Sequence, residues 1–263
     1  MKPAAFDYTN PADLAAALQA LSGDAKPIAG GQSLTPMLNL RLARPASLVD
    51  IRRQADLLKV AEAPDAIRYG AALPHAAFED GAVPECTNGM MRHVTSGIAY
   101  RAVRNRGTIG GSIAHADPAA DWISTLLALD ARVIVRGAKG ETAWPIERFM
   151  LGGFTTVLEA GELITGVSVP RLSASARWGY YKICRKTGEF AKAIGAVVSD
   201  PDRGVFRLVC GAVEVTPLLL EARDADAAAA EIDARLSERP PSARQLHKIA
   251  VRRALEALAE ARQ

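Results

Sequence analysis

Apolar positions change period along this chain, and the changes mark its elements. Leu14, Ala17, Leu18 and Leu21 recur at helical spacing behind Asn10-Pro11-Ala12-Asp13, where a capping side chain precedes a proline at the first helical position. A helix is predicted over about residues 11–21. Residues 26–29 form a short extended run that meets Gly30-Gly31, residues 33–41 read as a turn or short helix around Pro36, and 46–51 resume as a strand. A second block opens with a strand at 66–70, passes through helical apolar periods between Val83 and Ala99, and reaches another glycine cluster at 107–111. Asp117-Pro118 then repeats the cap-and-proline order, predicting a helix start. Short β-branched runs at 132–135 and 163–169 predict strands, the second stopped by Pro170. Past Trp178, strand-like runs at 193–198 and 205–213 precede an alanine-rich helix at 224–236. Beyond Pro240-Pro241, Ser242 and Gln245 form a capping box for a last helix, whose stripe Leu246, Ile249, Leu255 and Leu258 is expected to pack inward.

The layout divides into units at 1–55, 56–172 and 173–263, and its mixture of helices and strands fits an α/β or α+β class. Composition then removes several functions. The 263 residues carry 32 Lys+Arg against 29 Asp+Glu, a net charge of +3, too small for a strongly basic nucleic-acid binder. Cys86, Cys184 and Cys210 are widely spaced and supply no zinc or iron–sulfur pattern, which suits a reducing compartment. The N-terminal stretch lacks the apolar core of a signal peptide, and no window reaches the ~18 apolar residues of a membrane span. A cytoplasmic location is expected.

The chemistry concentrates in two loops, Ala29-Gly30-Gly31-Gln32-Ser33-Leu34 and Gly107-Thr108-Ile109-Gly110-Gly111-Ser112. Paired glycines tolerate positive φ and let backbone N–H groups approach an anion closely. Both loops lie in acid-free stretches: none occurs from residue 25 to 49, nor in the 31 residues between Glu85 and Asp117, which hold Arg92, Arg101, Arg104 and Arg106. A pyrophosphate would require such surroundings, because a carboxylate there would repel it. Neither loop matches GxGxxG or GxxxxGK[ST], so Rossmann and P-loop readings are disfavoured. The bland alternative is a pair of tight turns beside solvated arginines.

Taken whole, the first loop followed by Asn39-Leu40-Arg41, and Arg104-Asn105-Arg106 running through the second loop to His115-Ala116-Asp117-Pro118-Ala119-Ala120-Asp121, resemble the FAD-binding medium subunit of the molybdenum hydroxylases, the group of carbon monoxide dehydrogenase and xanthine dehydrogenase. That resemblance implies an α+β fold of the vanillyl-alcohol-oxidase (PCMH) type, with two α/β subdomains and a C-terminal domain carrying a small antiparallel sheet. It implies that Ala29, Gly30, Gly31, Gln32, Ser33 and Leu34, with Thr108, Ile109, Gly110, Gly111 and Ser112, wrap the FAD pyrophosphate. Asp121 would bond the adenosine side, Ile98 and Ile164 would be apolar contacts, and Lys192 would stand near the flavin. Read alone, Asp121 is equally an acid stabilising a helix start, and Lys192 a surface lysine. The implied function is electron transfer from a small [2Fe-2S] subunit, fed by a large molybdenum-cofactor subunit, through FAD to an external acceptor. No catalytic or metal-binding residue is assigned to this chain. A self-sufficient flavin reductase or oxidase of the same fold, and a cofactor-free scaffold, are the competing readings.

Overall fold

In a computed structural model, which describes residues 2–260, three sheets of three to five strands follow one another along the chain, beside a two-stranded hairpin. The first unit comprises β1 (Asp7–Thr9), α1 (Leu14–Ala20), β2 (Ala25–Ile28), α2 (Leu34–Asn39) and β3 (Ser47–Asp50). Its strands are parallel, in the order β1-β3-β2. Helix α1 starts later than its sequence signal, because Asp13 rather than Asn10 is the cap: its Oδ1 accepts the Ala16 N–H at 2.8 Å. Alternation along β3 sends Val49 into a cluster with Leu14 and Ala17 of α1, and Leu48 into another with Leu38 of α2.

The second unit holds α3 (Ala55–Leu58), β4 (Val60–Glu62), β5 (Ala66–Gly70), α4 (His75–Glu79), α5 (Met90–Ser96), α6 (Arg101–Arg104), α7 (Ile109–His115) and α8 (Asp121–Ala128). It continues through β6 (Arg132–Gly137), β7 (Gly140–Pro145), α9 (Ile146–Phe149), the hairpin β8 (Met150–Gly152) and β9 (Thr155–Thr156), and β10 (Leu163–Pro170). Its five-stranded sheet is antiparallel, ordered β4-β5-β10-β6-β7. Tyr69, Met90, Ile109, Trp122, Leu126 and Phe149 close the largest core against it. Asp117 does not start α8: its Oδ1 accepts the Ala119 N–H at 2.9 Å in a preceding turn, and the helix begins at Asp121. Every residue of α8 is buried, because the helix lies between this core and the third sheet, as a helix without a polar face must.

That third sheet is antiparallel, β11 (Arg177–Ile183), β12 (Ala193–Asp200), β13 (Val205–Gly211) and β14 (Leu218–Leu220) in chain order, followed by α10 (Ala225–Arg235) and α11 (Pro241–Glu260). Helix α11 packs inward, most deeply through His247, Ala250, Val251 and Ala254, with Leu255 and Leu258 of the expected stripe half-buried against the same core. Gly179 and Gly195 explain why the small residues lie deepest. A Cβ on either would lie 1.9 Å from the Ala254 carbonyl or 2.2 Å from that of Ala250, so the helix backbone rests directly on the sheet. Ser242 sits inside α11 rather than at its cap. The fold is α+β, and no helix among the described residues is long and apolar enough to cross a membrane.

Candidate functional site

Because β2 and β3 run parallel, the chain leaves both at the same edge of the first sheet, Gly30 after one and Arg52 after the other. Ligands of such sheets sit beyond the carboxyl ends of the strands. Here the two glycine loops meet. A Cβ on Gly30 would lie 2.0 Å from the Arg106 carbonyl oxygen and 2.8 Å from Gly107 Cα, so only glycine lets the loops touch.

The first loop is open. Gly31 has φ +72°, Thr35 donates its N–H to the Gly31 carbonyl at 3.0 Å, and the Gln32 side-chain amide holds the Gly30 carbonyl at 3.0 Å. Among the described residues, the N–H groups of Gly30, Gly31, Gln32, Ser33 and Leu34 have no acceptor within the chain, and Ser33 makes no capping bond to α2. The acid nearest in the folded edge, Asp50, is engaged by the Tyr8 hydroxyl and by Arg52, whose Nε reaches it at 2.9 and 3.1 Å. Arg52 holds the Asp50 carboxyl down to about 2. A row of unpaired donors with the local carboxylate neutralised is an anion cradle.

The second loop is closed. Gly107 N–H donates to Val103, Ile109 to Leu73 and Gly110 to Ala71, at 2.7, 3.1 and 2.9 Å. Gly111 donates to Thr108 Oγ1, the cap of α7, at 3.0 Å, and Ser112 to the Thr108 carbonyl at 3.0 Å. Among the described residues, Thr108 N–H alone of this loop lacks an acceptor. His75, not assigned a role by the sequence, braces this loop: its N–H donates to Gly107 at 2.9 Å, and a Cβ on Gly107 would lie 2.9 Å from its Nε2. Trp122 Nε1 donates to His75 Nδ1 at 3.0 Å, which leaves the ring proton on Nε2. Burial, with Arg104 nearby, pushes the His75 pKa down to about 4.

The acid-free stretch around this loop is partly filled in space. Arg101 pairs with Asp80 and Glu79 at 2.6 and 2.9 Å, and Arg104 pairs with Glu79 at 2.7 Å. Arg104 Nη1 also donates to the carbonyls of Ile98 and Ala99 at 2.9 and 3.1 Å. Arg104 thus holds the Ile98 turn in place, whereas Arg106 makes no side-chain hydrogen bond or ion pair among the described residues.

Asp121 is buried at the start of α8, where it accepts the Tyr180 hydroxyl at 2.6 Å and Lys182 Nζ at 2.9 and 3.1 Å. Lys182 also donates to the Gly97 carbonyl at 2.9 Å, so β11 ties Asp121 to the turn bearing Ile98. Burial, with the Asp121 carboxylate beside it, holds the Tyr180 phenol well above its ordinary pKa. The lysine at Asp121 is thus Lys182. Lys192 is exposed at the foot of β12, where its backbone N–H donates to Ile183 at 2.7 Å. Alternation along β11 was the available signal, since Tyr180 and Lys182 share a face. Ile98 is half-buried against the largest core, Ile164 lies within it, and His115 packs on Phe154 with ring centroids 5.1 Å apart.

Residues 4–172 match the family described as the FAD binding domain in molybdopterin dehydrogenase. The 6-hydroxypseudooxynicotine dehydrogenase complex subunit alpha of Paenarthrobacter nicotinovorans is 39% identical over 202 residues, 76% of this chain and 68% of the relative. The carbon monoxide dehydrogenase medium chain of Hydrogenophaga pseudoflava is 36% identical over 75% of this chain and 70% of its own length. Among solved structures, a chain of the Hydrogenophaga pseudoflava carbon monoxide dehydrogenase superposes with a TM-score of 0.90 at 31% identity, covering 99% of both chains. Quinoline 2-oxidoreductase from Pseudomonas putida 86 gives 0.87 at 30%, again over 99% of both.

Proposed function

The chain belongs to the family of FAD-binding medium subunits of molybdenum hydroxylases, and from that premise we propose that it carries electrons from an iron–sulfur partner, through FAD, to an external acceptor. The observation that carries this reading is the row of unpaired N–H groups from Gly30 to Leu34, at the edge where the two glycine loops meet. The donor set fits a pyrophosphate. In this reading Ala29 to Leu34 hold the cofactor's phosphates, and Thr108 to Ser112 form the opposite wall, contributing the Thr108 N–H. Asp121, fixed by Tyr180 and Lys182, is a hydrogen-bonding contact. Ile98 and Ile164 supply apolar contact, and Lys192 stands near the flavin, with Lys182, paired to Asp121, a second lysine in the site. When bound, FAD supplies the redox chemistry, while the protein positions it and tunes its electronics.

Three functional units, 1–55, 56–172 and 173–263, go with this assignment. Partners hold the other centres: a large molybdenum-cofactor subunit and a small [2Fe-2S] subunit. Cys86 and Cys210 lie buried in separate cores and cannot converge on a cluster. Unpaired cysteines suit the cytoplasm.

An absorption spectrum of the purified chain, with chromatographic identification of any released flavin, tests the reading. Stoichiometric FAD is expected. A colourless chain that fails to take up added FAD would overturn it, and reduction of the bound flavin by NADPH alone would favour a self-sufficient reductase.

A further inference from the structure

A hollow of about 200 Å³ opens within the second unit, where α4, the turn that follows it and α5 meet β5. It shares no lining residue with either glycine loop or with the Asp121 network. Its interior is apolar, formed by the rings of Tyr69 and Phe78, which pack with centroids 5.2 Å apart, by Val83 and by the Met91 thioether. Pockets that enclose a drug-sized ligand run to about 300–1,000 Å³, so this one suits a smaller molecule.

Two opposite charges, Glu85 and Arg92, stand exposed on its rim. Arg92 is anchored at one atom, its Nε donating to the Glu79 carbonyl at 3.0 Å, and its two terminal nitrogens make no hydrogen bond or ion pair among the described residues. Glu85 is anchored in the same way. Its Oε1 accepts the Thr87 N–H at 2.8 Å and the Thr87 hydroxyl, and its Oε2 is left open. The two do not pair with each other among the described residues, whereas Arg101 and Arg104 nearby are both paired, with Glu79 and Asp80. A molecule that satisfies this lining has an apolar body, an anionic group for the terminal guanidinium nitrogens, and a cationic N–H group for the carboxylate. A short apolar α-amino acid carries all three.

We propose that this hollow binds a free apolar α-amino acid, with its side chain among Tyr69, Phe78, Val83 and Met91, its carboxylate on Arg92 and its ammonium on Glu85. The site is separate from the FAD reading and does not depend on it. Burial of the apolar body supplies the driving force, and the two rim charges select a zwitterion over a plain acid or amine, since either of these leaves one charge without its partner.

The test is calorimetric titration of the full chain, as purified, with L-leucine, with 4-methylpentanoate, which lacks the ammonium, and with 3-methylbutylamine, which lacks the carboxylate. Leucine is expected to bind saturably and each truncated analogue about tenfold more weakly, the loss of one charge-assisted contact. The variants should then sort by group. Arg92→Gln weakens leucine and the acid by about tenfold and leaves the amine unchanged, while Glu85→Gln weakens leucine and the amine and does not weaken the acid. Both residues are exposed, and glutamine at position 85 keeps an acceptor for Thr87, so the folded chain is retained for the comparison. No saturable binding of leucine up to about 10 mM, leucine affinity that ignores both substitutions, or equal affinity for leucine and 4-methylpentanoate would overturn the site. Flavin content enters none of these outcomes, so failure of the FAD reading leaves them unchanged.

Discussion

In the loop after β2, the N–H groups from Gly30 to Leu34 have no acceptor among the described residues, whereas in the loop before α7 those of Gly107 and of Ile109 to Ser112 are all engaged. Both loops carry a glycine pair, an acid-free neighbourhood and small polar residues behind the glycines. Their glycines nonetheless answer to different constraints. Gly31 is needed for its conformation, at φ +72°. Gly30, Gly107 and Gly110 are needed because backbone or a ring lies where a Cβ would go. One loop presents donors; the other is a wall, anchored by His75 and Trp122, that holds the first loop's opposite side at a fixed distance. A repeated motif can therefore stand at one loop that leaves its donors free and at another that serves as framework.

The largest test of that division is Gly110→Val. A Cβ there would lie 2.5 Å from Ala71 Cβ and 2.7 Å from its carbonyl, and no flexible side chain can yield. The fold should lose about 3 kcal/mol or more, read as a lowered urea midpoint, with FAD affinity in the folded fraction little changed. A stable variant that has lost FAD would make the second loop a donor loop after all.

Acid gives the next effect. Above about pH 6.5 His75 is neutral in both folded and unfolded chains. As pH falls from there toward about 4, the unfolded chain takes up a proton that the buried ring refuses, and stability declines, by up to about 3 kcal/mol. His247, also held down to about 4 by burial, contributes in the same direction, so the informative quantity is a difference. The fall in urea midpoint between pH 7.5 and 5 should be smaller in His75→Gln than in the wild type. Equal slopes would remove His75 from the wall.

On the open loop, Gly31→Ala should cost the fold only about 1 kcal/mol, the strain of positive φ in a residue with a Cβ, since that Cβ meets the end of the Thr35 side chain at 2.8 Å. Its effect on FAD affinity should be larger, about tenfold, because relaxation of φ turns neighbouring N–H groups out of line. A variant equally weakened in both properties would erase the distinction between the loops.

Much of this was legible beforehand. The glycine pairs and the strand before the first loop are local signals, carried by residues close in sequence. What escaped is non-local. Glu79 and Asp80, which engage Arg101 and Arg104, lie just before the acid-free stretch, and a window along the chain does not report a partner across a turn. Lys182 reaches Asp121 over 61 positions, and only the alternation of β11 hinted at it. Asn10 and Asp117 each stand near a helix start with a proline beside them, yet the first is bypassed by Asp13 and the second closes a turn. A capping residue indicates that a helix is near; which residue caps is decided by where the packed face must begin.

The smallest effects sharpen the comparison most, because they concern two residues in the same structural position. Ser33 and Thr108 each immediately precede a helix, α2 and α7. Thr108 has extended backbone and its Oγ1 accepts the Gly111 N–H, whereas Ser33 has helical backbone and makes no capping bond. Loss of a working cap costs about 1 kcal/mol, so Thr108→Ala should lower stability by that amount, while Ser33→Ala should lie within about 0.5 kcal/mol of the wild type, as for a side chain without a structural bond. FAD affinity should rank the pair the other way, falling severalfold in Ser33→Ala, whose hydroxyl is free to face a phosphate. Urea midpoints with flavin titrations on both variants decide it. If Ser33→Ala is the less stable of the two, the Ser33 oxygen caps α2 in solution, and the residues before the two helices play the same structural part.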